Sequence, residues 1–221
     1  MKPDSKIHPS RGKILKLLES FSSPLFPVEP GDPSREHAEF LEGLKVCNDC
    51  GLRGGATQPV PGHGSLDASL MMVGEAPGAE EDRLGIPFSG PAGHLLDRSL
   101  AKLGVRRSRI YITNVVRFRP PGNRMPHAGE INACISHLLV EIRTIRPRII
   151  AALGAVAAQT LLGTKEGLKT LRGRYVEAGV FQIFPMYHPA YALRNLDRDP
   201  SILAVFETDL RRVCGDAGLL P

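Results

Sequence analysis

A three-layer α/β/α fold around a central, mostly parallel sheet of four to five strands is predicted by three observations. Apolar runs of strand length alternate with longer amphipathic stretches of helical period along most of the chain. The apolar runs carry apolar residues at both parities, as strands covered on both faces do. Three of them are followed at once by a polar motif, GEAPG (Gly74–Gly78), Asn114 with RPPGNR behind it, and YHPAY (Tyr187–Tyr191). In an open parallel sheet the strand carboxyl ends share one edge and ligands bind in the crevice there, so the three motifs are expected to meet.

The elements follow in order. Residues 1–35 divide into a basic segment ending in the amphipathic ILKLLESF and a stretch, SSPLFPVEPGDPS, whose four prolines read as an extended linker. A short helix, REHAEFLEGLKV, leads into Cys47, and residues 36–221 form the folded domain. SLMMVG is a buried strand, and PAGHLLDRSLAKLG an amphipathic helix with a glycine stop. RIYITNVV is a strand. AGEINACISHLLVEIRTI is a long helix ended before Pro147, because proline disfavours helical geometry in the residue ahead of it. RIIAALG, the short helix AVAAQTLLG, the pair RYVEAG and VFQIFPMY, and the terminal helix PSILAVFETDLRRV complete the pattern.

Composition narrows the class. A chain of 221 residues with 42% hydrophobic and 23% charged content buries a real core. A net charge of +5 suits a polyanionic partner, although a well-solvated surface gives the same number. No run of 18 apolar residues spans a membrane and no apolar leader core opens the chain, so a cytoplasmic monomer without membrane contact is expected. Four cysteines are too few for a disulfide framework, and a CxxC pair in a reducing compartment points to metal or redox chemistry. GxxxxGK[ST] and GxGxxG are both absent, which removes the usual nucleotide cradles.

The stretches GEAPGAEEDRLGIPFSGPAGHLL, ITNVVRFRPPGNRMP and YHPAYALR together resemble the family 4 uracil-DNA glycosylases, of the wider uracil-DNA glycosylase superfamily. The resemblance runs from about Cys47 to about Leu210 and leaves the first 46 residues unmatched. It implies hydrolysis of the N-glycosylic bond of deoxyuridine in DNA, releasing uracil and leaving an abasic site for base excision repair. The target base must leave the stack and enter a pocket that reads its Watson–Crick edge.

The resemblance assigns roles by position. His188 stabilises charge on the uracil O2; a structural histidine at a strand end is the alternative. Asn114 reads O4 and N3–H, since an amide offers one acceptor and two donors; a turn-capping Asn is the alternative. Phe88 stacks on the base, or anchors its loop as a core residue. Small Ala76 stands where the best-known enzymes of the superfamily carry an Asp, which leaves Glu75 to position water. Backbone N–H groups from Gly74 to Gly78 help hold O2. Glu80, Glu81 and Asp82 cap or charge a local turn. Arg119 and Arg124 in the stiff RPPGNR turn, with Tyr191 and Arg194 after His188, grip DNA, and Tyr191 or Leu193 fills the gap left by the flipped base.

The family's iron–sulfur cluster needs four cysteines. Cys47, Cys50 and Cys134 match three positions, but the remaining position is Phe118. Three outcomes stay open: a 4Fe–4S cluster on three cysteines with a substitute ligand such as Cys214 or a histidine, a zinc ion, or no metal. The cluster, in a structural role, is the reading adopted. A binding protein with little turnover is the runner-up function. The chain passes from RPPGNR to PHAGE without the basic insertion of a covalently trapping relative, and His127 is the single histidine there.

Overall fold

The computed structural model describes residues 32–221, together with Lys16 and Leu18; the expected amphipathic segment and proline linker otherwise lie outside the described residues. Helix α1 (Pro33–Val46) is capped by Asp32, whose carboxylate accepts from Ser34 N, with proline at its first position. Strands β1 (His63–Gly64) and β2 (Leu70–Gly74) follow, then helices α2 (Ala79–Leu84) and α3 (Pro91–Lys102). Strand β3 (Tyr111–Asn114) precedes the long α4 (Ala128–Ile145). Strand β4 (Ile149–Leu153), α5 (Ala155–Leu162), α6 (Leu168–Leu171), β5 (Val176–Ala178) and β6 (Phe181–Met186) come next. The chain closes with α7 (Pro189–Arg194) and α8 (Ser201–Asp216).

The sheet has six strands in the order β1-β3-β2-β4-β6-β5, against the four to five expected. The central four are parallel, and β1 and β5 add antiparallel edges. The extra strand is β1, whose two residues pair with Ile112 and Tyr111 and are too short to leave an alternating pattern. The long helix spans the expected residues; its last turn ends at Arg146 in the left-handed region (φ 49°), directly before Pro147. Of three short helices, α2 and α7 were read as a turn and a loop, and α6 was not assigned. Each has four to six residues, too few for a helical period to show.

Side chains alternate across the sheet, as strand geometry requires. Met71 and Val73 of β2 face a core shared with Leu138 and Ile142 of α4 and Leu161 of α5. Leu70 and Met72 face the opposite core with Leu96 of α3 and Phe206 and Leu210 of α8. The three-layer α/β/α expectation therefore holds. Cys47 packs against the first core, which contains Cys50, Cys134 and Phe118, whereas Cys214 belongs to the second. The sheet thus separates Cys214 from the other cysteines and removes it as their substitute partner.

The first core encloses a charged pair. Arg117 and Glu141 are both fully buried, and Arg117 Nη2 donates to Glu141 Oε2 at 2.6 Å. The carboxylate also accepts from Gly62 N at 2.7 Å, Thr113 Oγ1 at 2.7 Å and Tyr111 Oη at 3.3 Å. Four donors match the lone-pair sites of one carboxylate, which is the condition for a buried charge to be tolerated. Removing one partner leaves the other charge uncompensated. Glu141→Ala is therefore expected to lower the unfolding free energy by about 3–5 kcal/mol. Urea denaturation monitored by circular dichroism measures this, and a loss under about 1 kcal/mol contradicts the role given to the pair.

Candidate active site

The three polar motifs leave β2, β3 and β6 at one edge of the sheet. Gly74 is in register with Asn114 across β2 and β3, so the first two motifs start side by side. Between them and the β6 end lies a pocket of about 410 Å³, with Glu75, Ala76, Phe88, Asn114 and His188 among its walls. The structure thus brings Glu75, Ala76, Gly78, Phe88, Asn114 and His188 to one pocket, while Gly74 lies behind its wall.

Gly74 makes the close approach possible. A Cβ there would collide with Asn114 Oδ1 and with the Phe88 ring. Asn114 is buried, its carbonyl accepts from Arg117 Nη1, and among the described residues its side-chain amide takes no partner. The amide is held in place by backbone packing and remains available to a ligand.

Phe88 is 5% exposed and sits at φ 53°, a conformation that costs a bulky residue about 1–3 kcal/mol. Several contacts over-determine it. Arg107 Nη1 donates to Phe88 O at 3.2 Å and Nη2 to Pro87 O at 2.5 Å, while Asp97 pairs with the same guanidinium at 2.8 Å. Gly93 lies beneath, where a Cβ would strike the Phe88 carbonyl. The ring stands 5.4 Å from that of His188, tilted by 30°. Phe88 is therefore both a core residue and a pocket wall.

His188 caps α7, and its Nδ1 accepts from Ala190 N at 3.1 Å. That bond fixes the tautomer: with Nδ1 accepting, the neutral ring carries its proton on Nε2. Burial, with Arg194 adding to it, pulls the His188 pKa down to about 4, so the ring is neutral at physiological pH. The sequence motif showed the histidine; the helix that orients it was not legible. Burial pushes the Glu75 carboxyl above its ordinary value, against the opposing charge of Arg194.

Other expected residues hold different positions. Gly78 lines the pocket, but its N–H donates to Glu81 Oε2 at 3.0 Å and is not free for a base. Glu81 also accepts from Ser89 N at 3.0 Å and Gly90 N at 2.9 Å, tying the GEAPG turn to the Phe88 loop. Its place three residues after Gly78, at capping-box spacing, was the available signal. Asp82 accepts from Thr57 N and Oγ1. Arg124 lines the pocket, yet both terminal nitrogens bind Glu130, at 2.9 and 2.6 Å. Arg119 bonds Asn123 Oδ1 at 2.7 Å. Arg194 is exposed and borders both the pocket and an adjoining groove of about 690 Å³, which also includes Tyr191, Gly154 and Lys169. Tyr191 packs against Tyr187 with ring centres 5.1 Å apart, and Leu193 lines the pocket. Arg107, Gly93 and Arg117 were not picked out from the sequence, since nothing local marks an arginine that will hold a carbonyl.

The cysteines form a second cluster on the first core. Cys134 Sγ accepts from Arg117 N at 3.2 Å. Burial pushes the Cys134 thiol up to about 11, and the nearby Cys50 and Cys47 thiols add to the rise. Cys47 Sγ lies 3.2 Å from Nε2 of His137. Cys47, Asp49 and His137 have ligand atoms within 4.8 Å of one another, a group able to hold a metal. Phe118 is buried beside them with the Arg53 guanidinium carbon 5.7 Å from its ring centre.

Comparison with known proteins agrees with this geometry. Residues 61–211 match the model of the uracil DNA glycosylase superfamily. The chain is 41% identical over 182 residues to the type-4 uracil-DNA glycosylase of Pyrobaculum aerophilum, covering 79% of this chain and 91% of that one. It is 44% identical over 156 residues to the type-4 uracil-DNA glycosylase of Thermotoga maritima, covering 70% and 81%. A type-5 uracil-DNA glycosylase of Pyrobaculum aerophilum is more distant, at 34% over 182 residues. The pocket at the sheet edge and these matches have one explanation: the chain belongs to the uracil-DNA glycosylase superfamily, with its type-4 members.

Proposed function

We propose that the pocket excises uracil from DNA by stabilising the departing base, with His188 and Asn114 on the base and Glu75 on the water. The activity is that of a uracil-DNA glycosylase in DNA repair, as the type-4 relatives are named. The observation that carries the assignment of roles is the His188 tautomer, because it turns a strand-end histidine into a neutral N–H donor beside Asn114 and Phe88.

The flipped uracil stacks on Phe88, which contributes about 1–3 kcal/mol by analogy with other base–aromatic contacts. The Asn114 amide accepts from N3–H and donates to O4, a pairing cytosine cannot match. As the glycosylic bond breaks, negative charge grows on the uracil ring. His188 Nε2–H donates to O2 and keeps its proton, since a neutral imidazole is too weak an acid to give it up. Pre-aimed donors of this kind supply much of an enzyme's rate. Glu75, ionised, holds the water whose oxygen bonds to the sugar carbon as the C–N bond breaks and accepts its proton, and the uracil anion is neutralised by a proton from solvent. Among the described residues no lysine lines the pocket itself, Lys169 lies in the adjoining groove, and the reaction proposed uses no amine. The product is free uracil and an intact abasic strand.

The partner is uracil-containing DNA, bound by a monomer in the cytoplasm. Arg194 and Tyr191 border the groove that continues from the pocket and are suited to the flanking backbone and the vacated stack. Arg124, with both terminal nitrogens on Glu130, reaches phosphate only by exchanging that partner, whereas Arg119 holds Asn123 through Nε and can offer its terminal nitrogens. Cys47, Cys50 and Cys134 would hold a 4Fe–4S cluster. The donor set fits: Cys134 lies against Arg117, Cys50 and Cys47 are near enough to raise its thiol, and the buried Arg117 Nε, without a partner among the described residues, suits an anionic sulfur neighbour. Such a cluster supplies cross-linking of α1, the loop after it and α4, because base hydrolysis transfers no electron.

Uracil release from U·G and single-stranded oligonucleotides, with strands stable until alkali, is the expected outcome; retention of uracil at stoichiometric protein would overturn the proposal. His188→Ala and Asn114→Ala should each slow the single-turnover rate by about 100-fold to 1,000-fold. The pH profile separates the acid groups. Glu75, raised by burial, loses its carboxylate as pH falls, so the rate should drop on an acid limb lying above the ordinary carboxylate range. His188, held near 4, should add no limb between about pH 6 and 8. Glu75→Gln should lower the rate and abolish the limb, and a limb unchanged in that variant contradicts the assignment. Gly74→Ala should cut the rate by at least about ten-fold while leaving DNA affinity near wild type, because its methyl group displaces Asn114 and Phe88.

A further inference from the structure

The groove that continues from the uracil pocket has one wall still without a role. Its floor is the end of β4, Leu153 to Ala155, and β4 lies between β2 and β6 in the sheet. Its walls come from opposite faces of that sheet. Leu168 and Leu171 of α6 pack on the first core, whereas Tyr187 and Tyr191 pack on the second. The groove therefore crosses the carboxyl edge between α6 and α7, and it shares Glu75, His188 and Arg194 with the pocket.

Lys169 stands on the α6 wall and is exposed. Leu168 and Leu171, three residues apart, face the core together and turn Lys169 outward. The short helix is pinned on both sides. Gln159 Nε2 donates to Glu166 O at 3.0 Å, and Gly173 N donates to Pro185 O at 3.0 Å. Lys169 is thus carried on a fixed backbone. Among the described residues it makes no ion pair, unlike Arg124 on Glu130 or Lys102 on Glu207.

We propose that α6 is the second wall of a DNA clamp, in which Lys169 and Arg194, from opposite sides of the groove, hold the phosphodiester backbone on one flank of the flipped deoxyuridine. The inference rests on the glycosylase reading given above and adds a residue and the part of the strand it grips. Continuity is the first argument. A flipped base stays bonded to its strand, so the backbone has to run past the mouth of the pocket. Charge is the second. The groove carries Lys169 and Arg194 against one carboxylate, Glu75. Glu75 and Arg194 line both openings, whereas Lys169 lines the groove alone, so its charge lies along the path away from the base. An acidic peptide would match the cations but has no reason to adjoin a base pocket. A lysine ammonium acts as a point charge and accepts a phosphate in many orientations, which suits a contact independent of sequence.

The test measures binding of the full chain to single-stranded oligonucleotides across a range of salt. Each carries one 2′-fluoro-2′-deoxyuridine, whose glycosylic bond resists cleavage. Lys169→Ala, Lys169→Arg and Lys165→Ala are compared, with thermal melting to confirm folding. Lys165 is an exposed lysine four residues earlier that lies outside the groove lining. Lys169→Ala should lower the salt slope by about 0.7 and weaken binding about five- to ten-fold at about 50 mM salt. Lys169→Arg should keep the wild-type slope, and Lys165→Ala should bind as wild type. Shortening the oligonucleotide to end at the uridine should erase the Lys169→Ala loss when one flank is removed and leave it when the other is. Binding unchanged in Lys169→Ala, an equal loss in Lys165→Ala, or a loss indifferent to which flank is removed overturns the clamp alone. Wild-type protein that releases no uracil from the matching deoxyuridine oligonucleotide overturns the glycosylase reading beneath it.

Discussion

The buried Arg117–Glu141 pair ties the parts of the molecule together. Glu141 projects from the long helix α4 and receives donors from β3, from the segment before β1 and from Arg117. Arg117 carries the connection outward in two directions. Its guanidinium holds the Asn114 carbonyl at the pocket, and its backbone N–H reaches Cys134. A buried ion pair contributes little net stability against an apolar substitute of the same shape. Its value here is geometric, since a charge with satisfied partners tolerates few other arrangements. The catalytic edge and the cysteine cluster are thereby fixed to one helix.

Around that anchor the site is made of close approaches. Gly74 leaves room for Asn114 and Phe88 to converge, and Gly93 leaves room for the Phe88 carbonyl. Arg107 then holds the Phe88 loop in a backbone conformation the residue disfavours. On the other wall, the first turn of α7 sets the His188 tautomer. In the proposed reaction these restraints would place the donors before substrate arrives and leave little reorganisation for the chemical step. Low dielectric surroundings keep His188 neutral and raise the cost of ionising Glu75, which makes the two residues unequal partners in acid.

Much of this was legible in the chain. The apolar runs SLMMV, RIYIT and VFQIFPM became parallel strands, and the motifs after them met at the expected edge because a parallel sheet has only one carboxyl edge. What sequence could not show was mostly short or long-range. The six-residue α7 gives no helical period, so the element that orients His188 was read as a loop. Gly78 looked like a donor for the base until Glu81 took its N–H. Arg117 sits in the run VVRFR, where a charge suggests solvent, and its burial depends on Glu141 arriving from a helix 24 residues further along. The substitution of Phe118 was visible at once, but the imidazole nearest the thiols emerged only when α4 and the loop after α1 were placed together.

In the proposed reaction one pocket reads uracil with Asn114, stacks it on Phe88 and stabilises its departure with His188. The most direct test is a crystal structure of the full chain with free uracil and abasic DNA together. Uracil is expected over the Phe88 ring, its O4 and N3 facing the Asn114 amide, and its O2 within hydrogen-bond distance of His188 Nε2. Uracil bound elsewhere, or in this pocket with O2 turned away from His188, would contradict it.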